Sequence, residues 1–289
     1  MHHHCQLFVL CLLSILCFSA TFADEVNDKR IQKAVAFYAS FDEEVKADVG
    51  EGSHELSTRY DGEEKGTFVF EEGFRQDVFS IVKDKGVSGG SLQVTDVMSK
   101  RGRVFFPALG NLPYKADGWS GTVSFWISTD PNTMLKTKYC DPIQITQRRA
   151  GDGGLWIDFP DVKPHDLRLG AFRALGEGEK SVPEKDPNAP LIIVKDVSWM
   201  KQNDWHHLAM TWKNFDSGKK NASAKLYIDG KPMGELRKRD IAMKWELDKT
   251  GVYVAVSYIG LLDELAILNH ALSDDEVKRL FARPDLFAR

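Results

Sequence analysis

The chain has 289 residues, 43% of them hydrophobic and 28% charged, with a formal net charge of −4 at pH 7. That length allows one large domain or two small ones. The mild acidity offers no electrostatic footprint for nucleic acid or an anionic membrane, so neither is an expected partner.

The first segment reads MHHHCQLFVLCLLSILCFSATFADE. Residues 7–18 are apolar apart from one Ser, and small residues follow as far as Ala23. This is the pattern of a secretory signal peptide over residues 1–23, too short to remain as a membrane anchor. The three histidines at its start are assigned no function. Neither Cys11 nor Cys17 follows a small residue, which argues against a lipoprotein. The expected location is therefore secreted, extracellular or periplasmic. Three of the four cysteines fall in the leader. Cys140 alone remains, so the exported chain must rely on its core without an internal disulfide.

Residues 24–33 form a polar segment. AVAFYASFDEE (34–44) then alternates, with Val35, Phe37, Ala39 and Phe41 on one face. Period two over this length means a half-buried strand. The same pattern recurs in SLQV (91–94), RVFF (103–106), GTVSFWIS (121–128), PIQITQ (142–147), GLWIDF (154–159) and LRLGAF (167–172). It continues in WHHLAMTW (205–212), AKLYIDG (224–230), VYVAVS (252–257) and LLDELAIL (261–268). Turn-formers such as AGDGG and DGKP lie between them. So many short strands with almost no helical pattern imply an all-β, antiparallel sandwich or jelly roll.

One helix is signalled, in HALSDDEVKRLF. Ser273 and Glu276 have capping-box spacing, Leu272 and Val277 are placed as a hydrophobic staple, and Pro284 bounds the end. Two stretches, 43–65 and 176–190, read as long loops, where binding sites or plain surface insertions are found. There is no internal repeat and no second composition regime. The expectation is a single domain over residues 34–283 with a short tail at 284–289.

NDWHHLAMTW (203–212) sets two histidines side by side. Neighbouring strand residues face opposite ways, so His206 and His207 cannot both reach one ion from the same face. They read as packing and hydrogen-bonding residues, with His207, on the less apolar face, the nearer to a groove. No H-E-x-x-H, P-loop or G-x-G-x-x-G motif occurs. The sequon at Asn221-Ala222-Ser223 has meaning only in a eukaryotic host.

Four pieces in this order, AVAFYASFDEE, TVSFWIS, DWHHLAMTW with AKLYIDGK, and IGLLDELAILNHALSDDEVKRLF, resemble the LamG-like branch of the concanavalin A-like lectin/glucanase superfamily. They run from Ala34 to Phe281. The resemblance implies a two-sheet antiparallel jelly-roll sandwich with a short C-terminal helix, and functions ranging from enzymes to binding modules.

The resemblance also implies one structural calcium ion where the acidic end of the first strand meets the last strand. The matching positions are Asp42 and Asp263, with Glu43 a poorer ligand. Alternation places Asp263 on an inward face beside Leu265 and Ile267, where a carboxylate needs a metal or hydrogen-bond donors. Glucanase members carry an E-x-D-x-x-E strand. The nearest fragments, Glu184-Lys185-Asp186 and Glu246-Leu247-Asp248, lack the third acid and fall in the wrong place, so catalysis is not expected.

Binding members of the superfamily stack sugars on aromatic rings beside polar groups. Trp126 and Trp212 read as core. Trp156 with Asp158 on one strand face, and Trp199 and Trp245 nearer turns, are the candidate ligand contacts. Arg148 and Arg149 read as an exposed basic turn that could also serve an acidic glycan. The expected function is a non-catalytic carbohydrate-binding module for a polysaccharide or glycoconjugate. A carbohydrate-active enzyme with unplaced residues and an extracellular protein-interaction domain remain the alternatives.

Overall fold

The alternating runs fold as extended strands, sixteen among the described residues. The structure is a computed structural model that describes residues 25–64, 68–99 and 102–288. The expected leader, residues 1–23, lies outside the described residues. The chain divides into two units, Met1–Ala34 and Val35–Arg289. The first is helical at residues 25–33 (α1). Among the described residues no helix is long and apolar enough to cross a membrane.

The strands are β1 (Val35–Ala39), β2 (Ser57–Asp61), β3 (Phe68–Glu72), β4 (Phe79–Val82), β5 (Ser91–Val94) and β6 (Arg103–Pro107). The middle of the chain gives β7 (Trp119–Ser128), β8 (Cys140–Arg149), β9 (Asp152–Phe159), β10 (Leu167–Phe172) and β11 (Leu191–Val194). The last five are β12 (His206–Phe215), β13 (Ala222–Ile228), β14 (Lys231–Arg239), β15 (Gly251–Val256) and β16 (Gly260–Leu268). They form two antiparallel sheets of eight strands. The first has the order β14-β13-β12-β7-β16-β5-β4, with β1 also paired to β16. The second has the order β11-β10-β9-β8-β15-β6-β2-β3. The jelly-roll expectation holds.

Side-chain alternation fills the space between the sheets. Phe37, Val123, Phe125, Leu208 and Met210 of the first sheet, and Ile143, Ile145, Leu155, Ile157 and Val252 of the second, belong to one buried cluster. Burying such side chains stabilises each by about 1.5–3 kcal/mol. Cys140 is fully buried and free, and burial pushes its thiol up to about 12, so it packs as a small apolar residue.

Helix α2 (Asp274–Ala282) carries the expected capping box: the Ser273 hydroxyl accepts from the Glu276 N–H, and the Glu276 carboxylate accepts from the Ser273 N–H at 2.8 Å. Phe281 stacks on Trp126 of β7, with centroids 5.7 Å apart, so the helix covers part of the first sheet. Residues 284–287 form a 3-10 turn, from which Phe287 meets Tyr38 edge-on at 5.5 Å.

Two expectations about loops divide. Residues 176–190 contain only turns and bends. The stretch from Glu43 instead contains β2, which pairs with β6 and β3. Its sequence STRYD has one β-branched and one aromatic residue among charges, too few to register as alternation, and tertiary pairing decides the outcome.

Candidate functional site

Register in the second sheet gathers a row of side chains on the face turned away from the main core. Trp156 lies opposite Gly170 on one side and Gln144 on the other. Gln144 lies opposite Tyr253, and Tyr253 opposite Phe105. One step along, Asp158 lies opposite Arg168. Gly170 is required: a Cβ there would come within 2.2 Å of the Trp156 ring.

This face holds a pocket of about 800 Å³, within the size range of small-ligand sites. Asp141, Gln144, Trp156 and Asp158 line it from β8 and β9, and Tyr139 and Glu184 reach it from loops. Asp158 accepts two hydrogen bonds from Arg168, from Nε at 2.9 Å and from Nη2 at 2.6 Å. The third arm of Arg168, Nη1, donates to Glu184 at 2.7 Å. Burial pushes the Asp158 carboxyl up to about 6 against the pull of Arg168, so it is ionised at neutral pH. Burial first, and then the charge on Asp158, holds the Asp141 carboxyl well above the usual carboxylate range. Gln144 is 2% exposed, and its Oε1 has no hydrogen-bond partner.

Two of the four expected ligand contacts, Trp156 and Asp158, meet in this pocket; Trp199 and Trp245 do not line it. Trp156 is 2% exposed, donates Nε1–H to the Ala150 carbonyl at 3.0 Å and stacks on Phe172. It forms a wall, not a free platform. The exposed aromatic at the rim is Tyr139, 45% exposed, with the Arg168 guanidinium 5.5 Å from its ring centroid. Trp199 is 47% exposed and meets His206 edge-on at 4.9 Å. Trp245 is buried against Trp119 and Tyr114, its Nε1–H donated to the Gly153 carbonyl at 2.7 Å.

The twin histidines diverge as strand geometry requires, but the nearer one to the surface is His206. His207 is fully buried, with Nε2 2.8 Å from the Ser124 hydroxyl, Trp126 and Phe281 against its ring, and its pKa pushed down to about 4 by burial. The less apolar face is where α2 packs. Arg148 pairs with Asp152 at 3.1 Å, while Arg149 lines the pocket.

Asp42 and Asp263 meet around one loop. On one edge of β16, residues 260–262 pair with β5 and residues 265–268 with β1. Asp263 and Glu264 occupy the fork, with Glu264 in the left-handed region at φ 53°. The loop between β4 and β5 fills the gap: Asp263 Oδ2 accepts from the Val87 N–H at 2.7 Å, and Asp42 Oδ1 accepts from the Gly90 N–H at 2.8 Å. Asp263 Oδ1 accepts from the Glu264 N–H at 3.0 Å. Burial pushes Asp263 up to about 8 and, together with the Asp263 charge, Glu264 up to about 9. Tyr38 donates to Glu264 Oε2 at 2.8 Å, which leaves Oε1 buried without a partner. Among the described residues no three His, Cys, Asp or Glu side chains converge as a metal cluster.

A two-sheet antiparallel sandwich of this topology, with a pocket on the outer face of one sheet, is a jelly-roll domain. The chain belongs to the concanavalin A-like lectin/glucanases superfamily: the family model Laminin_G_3 matches residues 102–278. No curated protein sequence matches the chain.

Among solved structures, the receptor binding domain of botulinum neurotoxin C/D mosaic serotype is similar at TM-score 0.55 and 16% identity, covering 87% of this chain and 52% of that one. The binding domain of botulinum neurotoxin DC in complex with rat synaptotagmin II is similar at TM-score 0.56 and 14% identity, covering 87% and 52%. Domain 4 of the arabinanase AbnA from Geobacillus stearothermophilus, in complex with arabinotriose, gives TM-score 0.47 and 15% identity, covering 85% and 97%. The chain thus spans about half the length of the toxin domains, and the likeness is one of fold.

Proposed function

We propose that this protein is an exported, non-catalytic module that binds a polysaccharide or glycoconjugate in the pocket on the second sheet. Gln144 lines that pocket, and its buried Oε1 has no hydrogen-bond partner, which carries the reading. A buried carbonyl oxygen without a donor costs about 1–3 kcal/mol, and a ligand hydroxyl removes that cost. Asp141, its carboxyl held above the usual range by burial, lines the same pocket, so two polar side chains stand ready for a ligand hydroxyl. The pocket lining mixes carboxyl side chains (Asp141, Asp158, Glu184) with basic ones (Arg103, Lys138, Arg149), so neither sign dominates it as basic residues dominate a site for an acidic ligand. The toxin domains that share the fold are receptor-binding domains, which supports binding in general.

The proposal includes one structural calcium at the Asp42–Asp263 clasp. Hard carboxylate oxygens suit calcium, and Asp42 and Asp263 bring two carboxylates to the same loop between β4 and β5. The ion would fasten the loop between β4 and β5 to both ends of the domain.

A second reading, a carbohydrate-cleaving enzyme, is favoured by one observation: two carboxyl groups, Asp141 and Asp158, line the same pocket, with Asp141 the more strongly shifted upward by burial. A glycan array with a reducing-sugar assay on each bound glycan separates the two. Saturable binding without product supports the lectin reading, product release replaces it with the enzyme, and silence in both moves the function to a protein partner.

A further inference from the structure

A second pocket, of about 290 Å³, adjoins the first, and Gly151 lines both. Trp156 in the first and Phe172 in the second lie ring to ring between them, centroids 5.9 Å apart and planes 13° apart. The charge balance of the two differs sharply. Into the second converge Lys180 from the 176–190 loop, Lys220 from the turn between β12 and β13, and Lys238 and Arg239 from β14. Arg173 also lines it, and the only carboxylate in its lining is Asp240. Arg173 is neutralised by Glu179, at 2.9 and 3.0 Å. No ion pair engages Lys180, Lys220 or Lys238 among the described residues, and Arg239 donates only to the Asn188 carbonyl, at 3.2 Å. This concentration of positive charge runs against the net −4 of the whole chain.

The backbone of β14 contributes to the convergence. Lys238 and Arg239 are sequence neighbours, and a regular strand would send them to opposite faces. The β13–β14 register shifts between Ala222 and Ala224, and Lys238 sits in the left-handed region at φ 55°. A bulge of this kind re-aims a side chain, and both residues line the pocket. A left-handed lysine is disfavoured by its own Cβ, and such positions persist where the surroundings impose them. Lysines on an edge strand also discourage strand pairing. That role accounts for β14 but not for Lys180 and Lys220, which come from other segments.

We propose that this basic pocket is an anion subsite that takes a sulfate, phosphate or carboxylate substituent of the ligand whose neutral part occupies the first pocket. Its use by a glycan rests on the lectin reading above; its affinity for an oxyanion does not.

The first test follows backbone amides of the full chain by NMR while sodium sulfate, sodium phosphate or sodium acetate is added at constant ionic strength against sodium chloride. The expected result is saturable shifts at Lys220, Lys238 and Arg239 with at least one oxyanion, lost in Lys220→Gln/Lys238→Gln. The oxyanion that binds best identifies the substituent. Shifts no different from those with chloride overturn the subsite.

Dextran sulfate and neutral dextran of equal length then probe the link between the pockets. The pocket variant weakens dextran sulfate binding by about tenfold, the equivalent of two modest charge contacts. The charge-matched control Lys231→Gln/Lys278→Gln, outside the pocket, leaves it unchanged. Equal losses in both variants overturn the subsite in favour of diffuse charge. Oxyanion binding that depends on Lys220 and Lys238, with neither polymer bound, upholds the subsite and counts against the glycan reading alone.

Discussion

Arg168 holds Asp158 by two parallel hydrogen bonds at 2.9 and 2.6 Å across neighbouring strands, both side chains less than a tenth exposed. Such a pair orders the pocket wall but contributes little net stability, because desolvation offsets the attraction. Removing one partner is another matter. Arg168→Met leaves a buried charge unpaired and is expected to destabilise the domain by about 3–5 kcal/mol in urea unfolding. The double variant Asp158→Leu/Arg168→Met recovers most of that loss. A single variant as stable as wild type would mean that the pair is solvated in solution.

The fork in β16 makes stability fall toward alkaline pH in metal-free protein. Asp263 and Glu264 have folded values of about 8 and about 9, against about 4 in an unfolded chain. Between those limits the folded state binds more protons than the unfolded state, so stability declines as pH rises. Their contribution is complete below about pH 4 and is lost as pH passes through about 8 to 9. Asp263→Asn flattens this slope in melting curves recorded from pH 5 to 9. On the acid side His207 acts in the opposite sense: its value is depressed to about 4, so its contribution is present above about 6.5 and is lost as pH falls toward 4. An alkaline slope unchanged by Asp263→Asn would place the titration elsewhere.

Calcium at the same fork is tested by melting. EDTA is expected to lower the melting temperature and added calcium to restore it, with Asp42→Asn insensitive to both. An identical curve with EDTA and with calcium removes the metal from this site.

Gln144 separates binding from stability. Gln144→Leu removes a buried oxygen that has no partner, so the variant is expected to melt at the wild-type temperature or higher, with a gain of up to about 1 kcal/mol. A loss of stability would show that an internal partner holds the side chain in solution.

Much of the fold was legible because alternation reports burial directly. LRLGAF and SLQV are strands from end to end, and HALSDDEVKRLF is a capped helix. The strands that escaped notice did so for different reasons: STRYD is short and charged, FSIV and LIIV are four residues long without clear alternation, and KPMGELRKR is polar and bulged at a sheet edge.

The site was half legible. Trp156 and Asp158 share a face by period two, and the same rule applied to PIQITQ puts Gln144 on a polar face. Joining them needs the β8–β9 register, which the AGDGG turn and a bulge between Thr146 and Arg149 set together. Tyr139 and Glu184 reach the pocket from loops, where no periodicity reports direction. Trp245 lies near a turn in sequence, yet a turn residue can still point inward, and it packs on Trp119. Asp42 and Asp263 were placed together by the closing of β1 on β16, but their backbone partners in the β4–β5 loop had no signature beyond its glycines.

The most direct test is a titration of the strongest glycan from an array into wild type, Gln144→Leu and Asp141→Asn, with melting curves taken on the same samples. The expected result is saturable binding by wild type, weakened about tenfold or more in each variant, with folding intact. Wild-type affinity in both variants, or no glycan bound by the wild-type protein, would contradict a carbohydrate site on the second sheet.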